Sequence, residues 1–390
     1  MIRKLIMGAL VTAITLSGWV TSSVFANEEW QWPTGYTMSN ETDGNAVLAF
    51  RQHGDTLVPA GSFPTGGKGS GGGLGNQGAL ALSNDGEALL VVNPGSNDIS
   101  VFEINGRYLK LVDRVPSGGT SPISIATHED YVYVLNAGGQ GVGNIVGFEL
   151  TQHNKLKPIA GSNQPLSGAN TAPAQISFNL TGDTLVVTEK ATNIIDTYAV
   201  DEDGVASGPV SQKSNGQTPF GFSFTPRGVL VVSEAFGGAS NASAVSSYSL
   251  RDGQLTVRSG SVSTTQTAAC WIVITKNGKF AYASNTGSNN ISSYRVRSAG
   301  RFTLQEAVAT PTGAGPIDMA LNKNSRFLYV LNAGSRSLEV FRVNRGNGRL
   351  TPGTGVSGAD SSGRCNIFVV GLSEQVVKHL CRRFPIQRFT

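Results

Sequence analysis

Charge, histidine and cysteine are all scarce in this sequence, and each shortage removes a class of function. Only 14% of the 390 residues are charged, and the formal net charge is +4. No basic stripe interleaved with aromatic residues is present, so no nucleic-acid partner is expected. The four histidines, His53, His128, His153 and His379, are scattered without metal-ligand spacing. The three cysteines, Cys270, Cys365 and Cys381, form neither a CxxC pair nor an even framework. A disulfide scaffold, a zinc site and a covalently held haem are therefore all unsupported. No metal and no cofactor are expected.

A long apolar run from Leu5 to Val20 follows Arg3 and Lys4 and precedes the small residues Val24 and Ala26. Basic, apolar and small residues in that order make residues 1–26 a secretory signal. The competing reading is an uncleaved membrane anchor, but Thr12, Thr15 and Ser17 dilute the run. The mature chain is expected in the periplasm or outside the cell, as a monomer with no membrane partner.

What the sequence has instead is turns and repetition. It contains 49 glycines and 16 prolines, and one phrase recurs. YVLNAGSRSLEVF ends at Phe341, YVLNAGGQGVGNIVGF at Phe148, LVVNPGSNDISVF at Phe102 and YASNTGSNNISSY at Tyr294. Worn copies read MSNETDGNAVLAF, LVVTEKATNIIDTY and LVVSEAFGGASNASAVSSY. Anchoring each copy on the polar residue that closes its first run gives Asn40, Asn93, Asn136, Thr188, Ser233, Asn285 and Asn332, about 49 residues apart. Each unit holds four runs of strand length separated by hairpin chemistry such as SNDG and DEDG. Four short strands cannot bury both faces alone, so the units must stack radially. The expected fold is all-β, a seven-bladed β-propeller of four-stranded antiparallel blades over residues 27–372. The first unit lacks an inner strand, which CNIFVVGL near the C-terminus could supply. Residues 373–390 form a basic tail that matches no blade.

The runs LVVTEKATN, TPFGFSF, LVVSEAFGGAS and TAACWIV resemble the lactonase-like seven-bladed propellers, the family of 6-phosphogluconolactonase and carboxymuconate cyclases. The phrase itself is also similar to surface-layer propeller repeats of the YVTN type, which are structural or binding modules. The first resemblance implies action on a lactone or a small carboxylated ring. It also implies a histidine after the proline that opens an inner strand, with arginine and acidic groups in the central channel. Here the residues after those prolines are Ile123, Ala174, Phe220 and Ile317. The family's histidine is missing.

A site in a repeat protein should show where a copy departs from its own pattern. With Thr188 and Ser233 aligned on Asn93, blades four and five put Glu189, Lys190, Glu234 and Phe236 where other copies carry Pro94, Ala137, Thr286 or Ala333. Glu189 and Glu234 are the candidate catalytic carboxylates. Lys190 and Phe236, with Gln175, Trp271 and Asp318 of the inner strands, are the candidate substrate-binding groups. Two other readings stand beside these, in which the charged residues form ion pairs between blades and Trp271 and Cys270 are core packing. The stretch GGGLGNQG has GxGxxG spacing at Gly73, Gly75 and Gly78, but a strand follows it, so it reads as a flexible loop between blades one and two. The expected function is a hydrolase or isomerase of a lactone or small carboxylated ring. The alternative is a non-catalytic propeller that binds a carbohydrate, peptide or protein partner.

Overall fold

The computed structural model describes residues 35–106, 108–357 and 366–369. The signal segment 1–26, the tail 373–390, Cys365 and Cys381 lie outside the described residues. Seven antiparallel sheets follow one another along the chain. Blade two shows the pattern from channel to rim: Leu80–Leu82, Ala88–Asn93, Asp98–Asn105 and Tyr108–Pro116. Blade four uses Pro173–Phe178, Thr184–Glu189, Ile194–Val200 and Ala206–Lys213. Blade five uses Pro219–Phe224, Val229–Glu234, Ala244–Arg251 and Gln254–Ser263. Blade six uses Ala269–Ile274, Phe280–Asn285, Asn290–Val296 and Phe302–Pro311. In blade three the outermost strand is split, so that Leu156–Pro158 and Gln164–Ala169 both pair with Val142–Leu150. Helical structure among the described residues is confined to the single 3-10 turns Phe236–Gly238 and Ser298–Gly300.

Position in the blade explains the composition of each strand. The second strand is covered on both faces by neighbouring blades, so it reads as a continuous apolar run rather than an alternation. All six residues of Ala88–Asn93 are buried. The fourth strand lies at the rim and carries exposed polar residues such as Lys110 and Arg114. Tyrosine hydroxyls tie one blade to the next. Tyr133 in blade three donates to the Gly204 carbonyl of blade four at 2.6 Å, and Tyr282 in blade six to Gly348 of blade seven at 2.7 Å. Each ring fills the seam while its polar tip finds a backbone acceptor.

The ring closes between the two ends of the described chain. Asn366–Val369 pairs antiparallel with Gly35–Met38, with Tyr36 opposite Val369 and Thr37 opposite Phe368. The innermost strand of blade one therefore comes from the C-terminal side, while its other three come from the N-terminal side. Farther out, the Leu57 amide donates to the Thr354 carbonyl at 2.9 Å, and Arg342 reaches Asp55 at 2.5 Å.

Candidate functional site

Strand pairing decides which residues of the blades are equivalent. The proline or alanine opening the first strand lies opposite Asn136 in blade three, Asn285 in blade six and Asn332 in blade seven. In blades four and five the opposing residues are Glu189 and Glu234. The anchors expected at Thr188 and Ser233 are thus displaced by one residue. Apolar Leu-Val-Val runs match almost as well after a one-residue slip, whereas hydrogen-bond pairing does not tolerate it. Glu189 and Glu234 are not additions beside the anchor; they replace its asparagine.

The anchor position holds the blade together. Asn93 donates to Asp98 Oδ1 at 2.7 Å and Ser100 Oγ at 2.8 Å, and Asn285 donates to Asn290 and Ser292 at 2.8 and 2.9 Å. Glu189 instead accepts from the Ser167 amide at 3.1 Å, from Thr192 Oγ1 at 2.6 Å and from the Ser167 hydroxyl. Asp196 stands beside it, in the place that Ser100 and Ser292 hold in their blades. Burial pushes the Asp196 carboxyl up to about 7, helped by the neighbouring Glu189 and opposed by the Ser211 hydroxyl. Glu234 accepts from the Gly216 amide at 2.9 Å and Ser261 Oγ at 2.7 Å, and burial raises its pKa. Both glutamates are fully buried. A Cβ at Gly216 would lie 2.2 Å from Glu234 Oε2, so the chain entering blade five closes directly over that carboxylate. The structure encloses each glutamate among serine hydroxyls and backbone amides, Glu189 against Ser167 of blade three and Glu234 against Gly216 in the linker between blades four and five.

A different set of residues meets at the channel. The Lys190 ammonium lies 4.6 Å from the centroid of the Phe220 ring, and Phe220 lies 5.1 Å from Trp271. Lys190 Nζ donates to the Pro173 carbonyl at 3.2 Å and to that of Gly75. The GGGLGNQG stretch is therefore not a free loop. Its second half is a strap pinned to the inner strands of three blades. Asn76 Nδ2 donates to the Ile123 carbonyl, Ser124 Oγ to Gln77 O at 2.7 Å and the Ile125 amide to Gly78 O at 2.7 Å. The Gln77 amide donates to Ala174 O at 3.0 Å, and Trp271 Nε1 to Asn76 O at 2.9 Å. Gln175 clips the next blade, exchanging hydrogen bonds with the Phe222 backbone at 3.1 and 2.7 Å. Asp318 is buried in blade seven, its carboxylate accepting from the Met319 amide at 2.7 Å. Phe236 lies in the turn after Glu234, in the left-handed region at φ +49.

Desolvation dominates the electrostatics of this cluster. Burial pushes the Lys190 amine down to about 8, and the buried Cys270 thiol up to about 11, with Lys190 partly opposing the latter shift. Of the residues expected from sequence, Gln175 and Trp271 lie on the inner strands of blades four and six, and Lys190 lies in the turn that follows the second strand of blade four. Phe220, Asn76 and Gln77 were not foreseen. Phe220 carried the one available signal, a ring directly after a strand-opening proline where other copies have Ile123, Ala174 or Ile317.

The family pattern described as "Lactonase, 7-bladed beta-propeller" matches residues 36–164 and 240–361, well over half of the chain. This chain belongs to that lactonase family. The match omits 165–239, the stretch that carries Glu189, Lys190, Phe220 and Glu234, while the strap residues Gly75 to Gly78 and Trp271 lie within the matched segments. Among solved structures, a candidate 6-phosphogluconolactonase from Bacteroides uniformis is 21% identical, with 87% of this chain and 100% of that one aligned at a TM-score of 0.66. The periplasmic gluconolactonase of Pseudomonas aeruginosa is 16% identical, with 87% and 100% aligned at 0.69. Hydrazine synthase of Kuenenia stuttgartiensis shares the propeller at 17% identity over 67% of this chain and 75% of that one, with a TM-score of 0.53. These likenesses are of fold, and one ring supports unrelated chemistries. No curated protein matches the chain.

Proposed function

We propose that this lactonase-family protein hydrolyses a lactone at the channel mouth of blades four to six, with Lys190 as its base. The observation that carries this reading is the environment of Lys190. Its amine lies over the Phe220 ring in a desolvated cluster, with a pKa lowered to about 8. About a tenth of such amines are neutral at pH 7, against fewer than about one in a thousand for an ordinary lysine. That brings the group into the range useful for general-base catalysis.

The chemistry closes without a cofactor. The neutral amine takes a proton from water, the resulting hydroxide adds to the lactone carbonyl carbon, and the ring C–O bond breaks. The ammonium then returns the proton to the departing ring oxygen, leaving a hydroxy acid. Phe220 and Trp271 supply apolar walls for the ring. Lys190 must first give up the Gly75 carbonyl, so the strap has to lift, and a stretch with glycine at 71, 72, 73, 75 and 78 bends at little steric cost.

The test is turnover of a panel of sugar γ- and δ-lactones by purified protein and by Lys190→Met. Activity that rises through about pH 8 and is lost in the variant supports the reading. Turnover that survives in the variant overturns it.

The strap supports a second reading, a non-catalytic propeller that binds a ring-shaped ligand, since its carbonyls already occupy the groups a substrate would use. In that case Lys190→Met lowers ligand affinity on the same panel and no lactone is opened. We further propose that the protein acts in the periplasm or outside the cell. N-terminal sequencing of the mature protein, beginning at about residue 27, is the check.

A further inference from the structure

Away from the strap, blades five and six enclose a cleft of about 710 Å³. Its walls come from the turns joining first to second strands and from the third and fourth strands with their connection. In an antiparallel blade these turns lie on the face of the ring opposite the strap. The floor includes Pro226, Val229, Leu250 and Val296, and the cationic side chains are Arg227, Arg258, Lys279 and Arg297. No acidic residue lines the cleft. None of these four cations takes part in an ion pair among the described residues.

The charge is concentrated here rather than spread over the chain. Segments 225–229, 249–258, 276–279 and 295–301 carry eight lysines and arginines against one acidic residue, Asp252, whereas the whole chain has a net charge of only +4. Like charges gathered without partners repel one another and lower stability. A bound anion relieves that repulsion. Arginine forks suit carboxylates and other oxyanions. The four cations arise from four separate segments, which favours a ligand whose charges are spaced along a scaffold over one compact multivalent ion. The apolar floor offers contact to the C–H faces of a ring. No aromatic residue lines the cleft, so the stacking platform that single-stranded nucleic acid requires is missing. The volume falls within the range of small-ligand sites.

We propose that this cleft binds an anionic glycan, a short oligosaccharide of uronate units, with Arg227, Arg258, Lys279 and Arg297 pairing its carboxylates. This site is independent of the channel cluster and of whether that cluster is catalytic.

The test uses the full-length protein and a galacturonate trisaccharide, titrated calorimetrically at low and at physiological salt. The expected result is binding that weakens at least tenfold in Arg258→Gln/Arg297→Gln, weakens with salt, and is unchanged in Lys190→Met. Circular dichroism and the melting temperature of the double variant control for folding, since both arginines are exposed. A neutral trisaccharide of the same size should not bind. Equal binding of the neutral sugar, or undiminished affinity in a folded double variant, overturns the proposal. A hexaglutamate peptide or a sugar bisphosphate binding tighter than the trisaccharide also overturns it, by assigning the cleft to an acidic peptide or to phosphate.

Discussion

Glu189 and Asp196 accept hydrogen bonds from the same backbone amide, that of Ser167, at 3.1 and 3.2 Å. Burial, with the Glu189 carboxylate beside it, holds the Asp196 carboxyl well above the usual carboxylate range. Ser167 belongs to the outer strand of blade three, and both acids belong to blade four. The pair is a seam between blades.

A pH dependence of stability follows. The Asp196 carboxyl titrates near 3.8 when unfolded and at about 7 when folded. The folded state then holds an extra proton between those values, so its stabilisation is complete below about pH 4 and is lost as pH rises through about 7. Urea midpoints measured from pH 5 to 8 should fall in the wild type. Asp196→Asn should flatten that decline, and an unchanged slope in this variant would falsify the raised Asp196 carboxyl as its cause.

The linker into blade five is sealed by a missing side chain. A Cβ at Gly216 would meet Glu234 Oε2 at 2.2 Å, whereas one at Gly72 meets nothing within 4 Å. Gly216→Ala should cost about 1–3 kcal/mol through overpacking, and Gly72→Ala should leave the melting temperature unchanged. Equal melting of the two variants would show that Glu234 can move aside.

Trp271→Phe keeps the ring contact with Phe220 but removes the donor to the Asn76 carbonyl. The loss of about 1 kcal/mol should lower the melting temperature by no more than about 2–4 °C. Its larger effect should be local, with limited proteolysis within residues 71–78 several-fold faster than in the wild type. Unchanged cleavage would mean that Trp271 does not hold the strap.

Lys190→Arg separates charge from basicity. Arginine keeps the cation over Phe220 but stays protonated at every accessible pH. The variant should retain affinity for a carboxylated ring while losing lactone turnover by about a hundredfold or more at pH 8. Turnover close to that of the wild type would assign Lys190 a purely electrostatic part.

Closure can be tested by truncation. A chain ending at residue 372 keeps the strand Asn366–Val369, and one ending at 357 loses it. The longer chain should melt within about 5 °C of the full-length protein, and the shorter one well below both, because its blade one lacks the inner strand. Equal melting of the two truncations would show that the ring does not depend on this strand.

The blade count was legible in the sequence because a repeat of four strands separated by turn residues has one economical solution, a ring of stacked sheets. Asn93, Asn136, Asn285 and Asn332 mark the same blade corner in both readings. What one-dimensional comparison left undetermined was register. Leu185-Val186-Val187 aligns with Leu90-Val91-Val92 at no apparent cost, and only the pairing of Pro173 with Glu189 shows the slip that makes the glutamate an anchor. The strap lay beyond sequence for a different reason. Its contacts join Gly75 to Lys190 and Asn76 to Trp271, 115 and 195 residues apart, and glycine-rich chain carries no periodicity that announces where it will lie. Local patterning determined the strands, the turns and their sevenfold repetition. Only the closed ring, by bringing distant inner strands around one axis, decided that Glu189 and Glu234 are enclosed while Lys190 faces the channel under a strap.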